Sequence, residues 1–314
     1  MKISRRDFLK WSVAAGVALG VEFNLESMNT VLAAETDPPI IWIQGSGCSG
    51  CTISTLNVTT PTTIDDVLIN KISMKYNNTI MAASGELGMQ ILDQSATQYK
   101  GQFILVIEGA IPTGANGNYC VIGELDGVAL TMQKAVLKYG AMAKYVVAAG
   151  TCASFGGVSA AGANKTRCKS VNAILNGKTI NPIVNLPGCP VHPTVLIQSL
   201  VDLILVGTPA IDSEHRPTKY FRGTIHDACS RYESDDAKPG KLGCYKEYGC
   251  KGPSCYNVCS RMYWNNGIAW CVGVNYPCIG CANPTFPVNP LLGNLEKDND
   301  KKNKQESNKK SDND

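Results

Sequence analysis

The feature that most constrains this chain is a short apolar run leading directly into a glycine-rich turn with two thiols. Ile40-Ile41-Trp42-Ile43 reads as a buried strand, and Gly45-Ser46-Gly47-Cys48-Ser49-Gly50-Cys51 follows it. A strand that ends in such a turn lets backbone approach a ligand closely. The C-x-x-C spacing of Cys48 and Cys51 points to a metal centre and away from a phosphate. On its own the spacing admits zinc, a redox dithiol, an iron–sulfur corner, or two small buried residues. The position of the other cysteines decides among these.

Apolar periodicity repeats along the first two thirds of the chain. Helices are expected over 61–76, with Thr60 as N-cap and Pro61 in the first helical position, and over 86–99, 128–139, 167–175 and 193–205. Strands are expected at 79–82, 103–107, 145–149 and 183–186. Strands alternating with helices imply a doubly wound parallel α/β sheet, whose ligands bind beyond the carboxyl ends of the strands. Cys48 and Cys51 follow the first strand, Cys152 the fourth and Cys189 the fifth. Four thiols therefore meet at one edge of the sheet, where a lone cysteine would more commonly be buried filler. Glu108 ends the third strand at the same edge, as a surface carboxylate, a cap, or a polar partner of the site or of a docked subunit.

Past Gly207 the texture changes. Residues 208–290 have little helical or strand periodicity but carry eight cysteines, so metal centres are expected to hold this region together. His226 and Cys229 stand at i and i+3, and Cys244 and Cys250 complete a set of one histidine and three cysteines. Cys259, Cys271, Cys278 and Cys281 form another set of four. Zinc would accept either set. Three four-ligand sites in one chain suit a line of iron–sulfur electron carriers better. Residues 291–314 mix lysines with acidic residues and asparagines, and read as a disordered tail with no apolar run for a C-terminal membrane anchor.

Composition bounds the remaining choices. The chain has 314 residues, is 44% hydrophobic and carries a net charge of only +3, which gives no electrostatic case for nucleic acid. Fourteen cysteines leave disulfides, zinc and iron–sulfur clusters in competition. The N-terminal Ser4-Arg5-Arg6-Asp7-Phe8-Leu9-Lys10, followed by a small apolar stretch to Val21, resembles a twin-arginine export signal, here assigned to residues 1–34. That route carries proteins already folded. Export therefore does not imply disulfides, because thiols that already hold iron are not free to pair.

The chain resembles the small subunit of nickel–iron hydrogenases over nearly its whole length. The residues that carry the resemblance are the Cys48-x-x-Cys51 turn, Glu108-Gly109-Ala110-Ile111-Pro112, Gly150-Thr151-Cys152-Ala153, Pro187-Gly188-Cys189-Pro190 with His192-Pro193, and Gly249-Cys250-Lys251-Gly252-Pro253. It implies a flavodoxin-like domain over 35–207 with a proximal 4Fe–4S cluster on Cys48, Cys51, Cys152 and Cys189. It also implies a C-terminal domain over 208–290 with a distal 4Fe–4S cluster on His226, Cys229, Cys244 and Cys250, and a medial cluster between the two.

Many members hold a 3Fe–4S cluster at the medial site on three cysteines, matching Cys259, Cys278 and Cys281, with proline at the fourth position. Here that position is Cys271, as in members of the nickel–iron–selenium type, so a medial 4Fe–4S cluster of lower potential is expected, with 3Fe–4S as the alternative. Oxygen-tolerant members carry two extra cysteines at positions matching Gly50 and Gly157, which implies a standard proximal cubane and oxygen sensitivity here. Many relatives have Ser-Glu after the second cysteine, whereas this chain has Thr52-Ile53. Cys120, Cys168 and Cys255 are left as structural thiols.

The implied function is electron conduction in an uptake-type hydrogenase. The nickel–iron centre lies in a partner large subunit, the outside redox partner is of the cytochrome c kind, and the complex resides in the periplasm or on the outer face of the membrane. The competing readings are an exported iron–sulfur subunit of another oxidoreductase, a structural zinc protein, which would be colourless, and a disulfide-stapled secreted protein.

Overall fold

The computed structural model describes residues 38–287 apart from 60, 61, 233 and 235–239, together with 4, 7, 10 and 11. The expected signal segment, apart from 4, 7, 10 and 11, lies outside the described residues, as do the charged tail and the expected cap at Thr60-Pro61. The described chain forms two compact units. The first extends to Arg222 and includes Ala282–Phe286, and the second spans Gly223–Cys281.

The first unit is built on five parallel strands: β1 (Pro39–Gln44), β2 (Ser73–Asn77), β3 (Ile104–Glu108), β4 (Tyr145–Ala149) and β5 (Val184–Leu186). Their order is β2-β1-β3-β4-β5, the flavodoxin-like doubly wound arrangement. The central strands read as unbroken apolar runs because a parallel sheet is covered on both faces. Ile41, Ile43, Leu105, Ile107, Val146 and Ala148 alternate onto one face. They pack there with residues of α3 (Gly85–Gln98), α4 (Met132–Gly140) and α6 (Val171–Leu175). A further helix, α7 (Pro193–Leu205), has buried residues around most of its circumference, as a helix enclosed in a core must. It packs with α1 (Gly50–Thr55).

Several expected elements are corrected. The helix expected over 61–76 is limited to α2 (Ile64–Asn70), and Ser73–Asn77 is a strand. Pairing of Ser73 and Met74 with Pro39 and Ile40 on β1 outweighs the helical spacing. No strand forms at 79–82, because the Asn77 side-chain oxygen accepts from the N–H groups of Thr79 and Ile80 and closes a turn. The helix expected from 128 begins at Met132. Val128–Thr131 is instead paired antiparallel with Val121–Leu125 across Asp126-Gly127, both at positive φ, as the hairpin turn requires. Similarly, Cys168–Lys169 pairs with Ile111–Pro112, and Ser170 caps α6 by accepting from the Ala173 N–H.

The described residues of the second unit have little regular structure: three 3-10 turns at His226–Ala228, Lys246–Tyr248 and Gly252–Ser254, and one helical turn at Cys259–Met262. Among the described residues, no helix is long and apolar enough to cross a membrane.

Candidate metal centres

In the sheet, Gln44 pairs with Glu108, Glu108 with Ala149, and Ala149 with Leu186, so four strands end in one row. Strand order reverses at β1, which places the crevice between the ends of β1 and β3. The turn with Cys48 and Cys51 rises there. It is zipped to the turn after β3 by Gly45 N–H to Glu108 O (2.7 Å), Ser46 N–H to Ala110 O (3.0 Å) and Ala110 N–H to Ser46 O (2.7 Å). The turn after β4 carries Cys152 in α5 (Gly150–Phe155). It is tied to the turn after β5 by Thr151 N–H to Gly188 O and by Gly188 N–H to Thr151 Oγ1, both 2.9 Å.

Glu108 fixes the cysteine turn from below. It is 1% exposed, which excludes the surface-carboxylate reading. Its carboxylate accepts from Trp42 Nε1 (3.0 Å), from the N–H groups of Cys51 (2.8 Å) and Thr52 (3.2 Å), and from the Thr52 hydroxyl. The carboxylate thus satisfies orphan donors at the start of α1, as a helix N-terminus needs. The sequence marked Glu108 as facing this edge but gave no sign of its donors Trp42 and Thr52.

The four sequence-distant thiols are close enough to act on one another. Burial pushes the Cys51 thiol well up, and nearby Glu108, Cys152 and Cys189 add to it. Cys189 is pushed up to about 11, by desolvation first and then by Cys152 and Cys48. Gly50 donates its N–H to Cys48 Sγ at 3.4 Å. Glycine is needed where backbone crowds sulfur. A Cβ on Gly150, whose φ is +84°, would lie 2.4 Å from Cys51 Sγ. Gly50 and Gly157 also border the thiols, with a Cβ falling 3.0 Å from Cys48 Sγ and 2.9 Å from Cys152 Sγ respectively.

In the second unit, His226, Cys229, Cys244 and Cys250 line one cavity, together with Arg231 and Tyr245. The His226 ring meets Tyr232 edge-on at 4.8 Å, and Arg231 donates its N–H to Cys229 Sγ at 3.4 Å. Cys259 begins the helical turn at 259–262 and is pushed up to about 12 by burial, with Cys271 and Cys278 adding to it and a hydrogen bond from Trp264 opposing it. Cys281 follows Cys278 across Gly280 at φ +69°. Cys278 donates its N–H to Cys250 Sγ at 3.3 Å. Cys255, 1% exposed, hydrogen-bonds the Cys278 sulfur, a contact that sequence spacing does not reveal. In the first unit, Cys120 and Cys168 neighbour each other, and Cys168 Sγ lies 3.2 Å from Thr166 Oγ1.

Among the described residues, no group of three or more His, Cys, Asp or Glu side chains is drawn in tightly enough to hold one metal ion. A tetrahedral zinc site would require sulfurs about 2.3 Å from one centre. A polynuclear cluster is held by several thiolates, and the sheet-edge quartet and the cysteines of the second unit supply the donor atoms it takes.

Residues 48–203 match the family described as NADH ubiquinone oxidoreductase, 20 Kd subunit. Residues 221–291 match the C-terminal part of the NiFe/NiFeSe hydrogenase small subunit, and residues 2–21 match the twin-arginine translocation signal. The chain is 37% identical over 307 residues to the periplasmic NiFeSe hydrogenase small subunit of Desulfomicrobium baculatum, covering 91% of this chain and 97% of that one. It is 34% identical to the periplasmic NiFe hydrogenase small subunit of Solidesulfovibrio fructosivorans, covering 90% of each. A solved structure of the NiFeSe hydrogenase from Desulfovibrio vulgaris Hildenborough superposes with a TM-score of 0.77 at 36% identity, over 83% of this chain and 99% of that one. With both units matched and a twin-arginine signal ahead of them, the chain belongs to the small-subunit family of the nickel–iron and nickel–iron–selenium hydrogenases.

Proposed function

We propose that this subunit conducts electrons between the nickel–iron site of its large-subunit partner, where H2 is converted to two protons and two electrons, and an external redox partner of the cytochrome c kind. Uptake of H2 is the direction we assign. The proximal 4Fe–4S cluster is held by Cys48, Cys51, Cys152 and Cys189, the medial one by Cys259, Cys271, Cys278 and Cys281, and the distal one by His226, Cys229, Cys244 and Cys250. The observation that carries this reading is the convergence of four cysteines from three separate turns on the switch point of the sheet.

Iron–sulfur clusters, when bound, supply one-electron carriers whose potential depends on ligand type, hydrogen bonding and burial. The protein's own residues do the rest. Glu108 holds the Cys51 turn in place. Burial around Cys51 and Cys259 keeps water from the sulfurs. Backbone N–H groups of Gly50, Arg231 and Cys278 point at the sulfurs of Cys48, Cys229 and Cys250. Glycine at 50 and 157 leaves no further thiol beside Cys48 and Cys152, which supports a standard cubane and oxygen sensitivity. Export by the twin-arginine route places the complex in the periplasm, folded together with its large subunit.

Iron analysis and low-temperature EPR of the air-oxidised heterodimer test this. About twelve cluster irons in this subunit, without an oxidised 3Fe–4S signal, are expected. A strong 3Fe–4S signal with about eleven irons would remove Cys271 from the ligand set, and absence of iron would overturn the reading.

A further inference from the structure

Two donors stand beside the second cysteine set of the C-terminal unit. Trp264 lies outside every ligand set, yet its indole N–H points at Cys259 Sγ from 3.2 Å. An indole nitrogen can only donate. Its aim is fixed by the backbone: Trp264 N–H donates to Ala269 O (2.6 Å), while Trp264 O accepts from the N–H groups of Ile268 (3.0 Å) and Ala269 (3.2 Å). Cys255 is the other donor. Its side chain is buried, its carbonyl accepts from the Ile225 N–H at 2.7 Å, and its thiol hydrogen-bonds the Cys278 sulfur. Two donors on separate segments therefore serve two different sulfurs of one set.

We infer that Trp264 and Cys255 are positioning residues that raise the reduction potential of the carrier held by Cys259 and Cys278. The inference rests on the medial ligand assignment given above. A thiolate bonded to iron carries more negative charge in the reduced state, so a hydrogen bond to it stabilises that state more than the oxidised one. Cys271 acts in the opposite direction, because a fourth thiolate adds negative charge. The two donors offset it and keep the middle carrier within reach of its neighbours.

The test is an EPR-monitored redox titration of the intact heterodimer, with iron counted in every sample. W264F keeps the ring and deletes the N–H. C255A deletes the thiol donor, and C255S keeps a donor there. The expected result is full iron throughout, with W264F and C255A each shifting the medial one-electron equilibrium about tenfold towards the oxidised form, about 59 mV lower in midpoint. C255S should stay near the unsubstituted protein. Unchanged midpoints at full iron would overturn the inference while leaving the ligand assignment intact. Loss of iron in C255A would also overturn it, by making Cys255 a ligand. Should W264F lose iron, the C255A and C255S pair decides, and equal midpoints reject the inference. A cluster content of about eight irons in the unsubstituted protein would reject the ligand assignment itself.

Discussion

A single carboxylate, Glu108, sets the geometry of the proximal turn. It is buried and is met by donors from Trp42, Cys51 and Thr52. In Glu108→Gln the side-chain amide turns its own N–H groups towards N–H donors, so at least one buried donor loses its acceptor, at about 1–3 kcal/mol. The expected outcome is a subunit lacking about four irons, those of the sheet edge, with the C-terminal irons retained; iron analysis paired with EPR reads this directly. Gly150→Ala should give the same loss by a different route, since its Cβ would enter the Cys51 sulfur at a φ that alanine disfavours. The sequence showed both residues at the right edge of the sheet. It could not show that Thr52 gives its hydroxyl to Glu108, nor that Ile53 faces outward at 54% exposure. These facts depend on side-chain distances across 56 positions of chain, which local pattern does not encode.

At the level of elements, the legible parts were those whose burial is uniform along their length. β1, β3, β4 and α7 are apolar runs, and a run buried on all sides keeps its signature in any window. The illegible parts were short pieces at the sheet margin. Ser73–Asn77 is polar, and its strand character comes from the neighbour it pairs with. The 121–131 hairpin was hidden because Val128–Thr131 continues without a break into the apolar spacing of α4. α7 also carries a polar exception. Asp202 is buried and bonded to Lys219 at 2.9 Å, with 5% of the Asp202 and 4% of the Lys219 side chain exposed. Burial pushes the Asp202 carboxyl up despite the lysine beside it. Lys219→Met should therefore destabilise the sheet unit by about 3–5 kcal/mol, by leaving a buried acid unpaired. The folded acid then holds its proton to higher pH than the unfolded one, so the folded state binds more protons and stability falls as pH rises above about 4. Thermal melts of the heterodimer between acid and neutral pH should show the loss widening with pH. The double variant with Asp202→Asn should recover most of it.

On the scale of the whole molecule, the two units are held by different physics. The sheet unit has a continuous apolar core of strand and helix side chains. Among the described residues, the second unit has only short turns and one helical turn, and three of its buried residues are the cysteines 255, 259 and 278. Too few regular apolar faces exist there to offset the entropy of ordering the chain. On the proposed ligand assignment, metal binding supplies the difference, because ligand bonds form only in the folded arrangement and so count as folding free energy. The same assignment explains why composition announced the second unit as irregular but could not draw it: a path set by ligand geometry leaves no periodicity in the sequence. Stripping iron from the heterodimer with oxidant and chelator should then act unequally. Backbone amides of Gly223–Cys281 should lose hydrogen-exchange protection, while those of β1, β3 and β4 keep theirs. Loss in both units together would mean that the sheet core also depends on its cluster. Protection retained throughout Gly223–Cys281 would mean that side-chain packing suffices there, and that the cysteines of the second unit serve electron transfer without serving the fold.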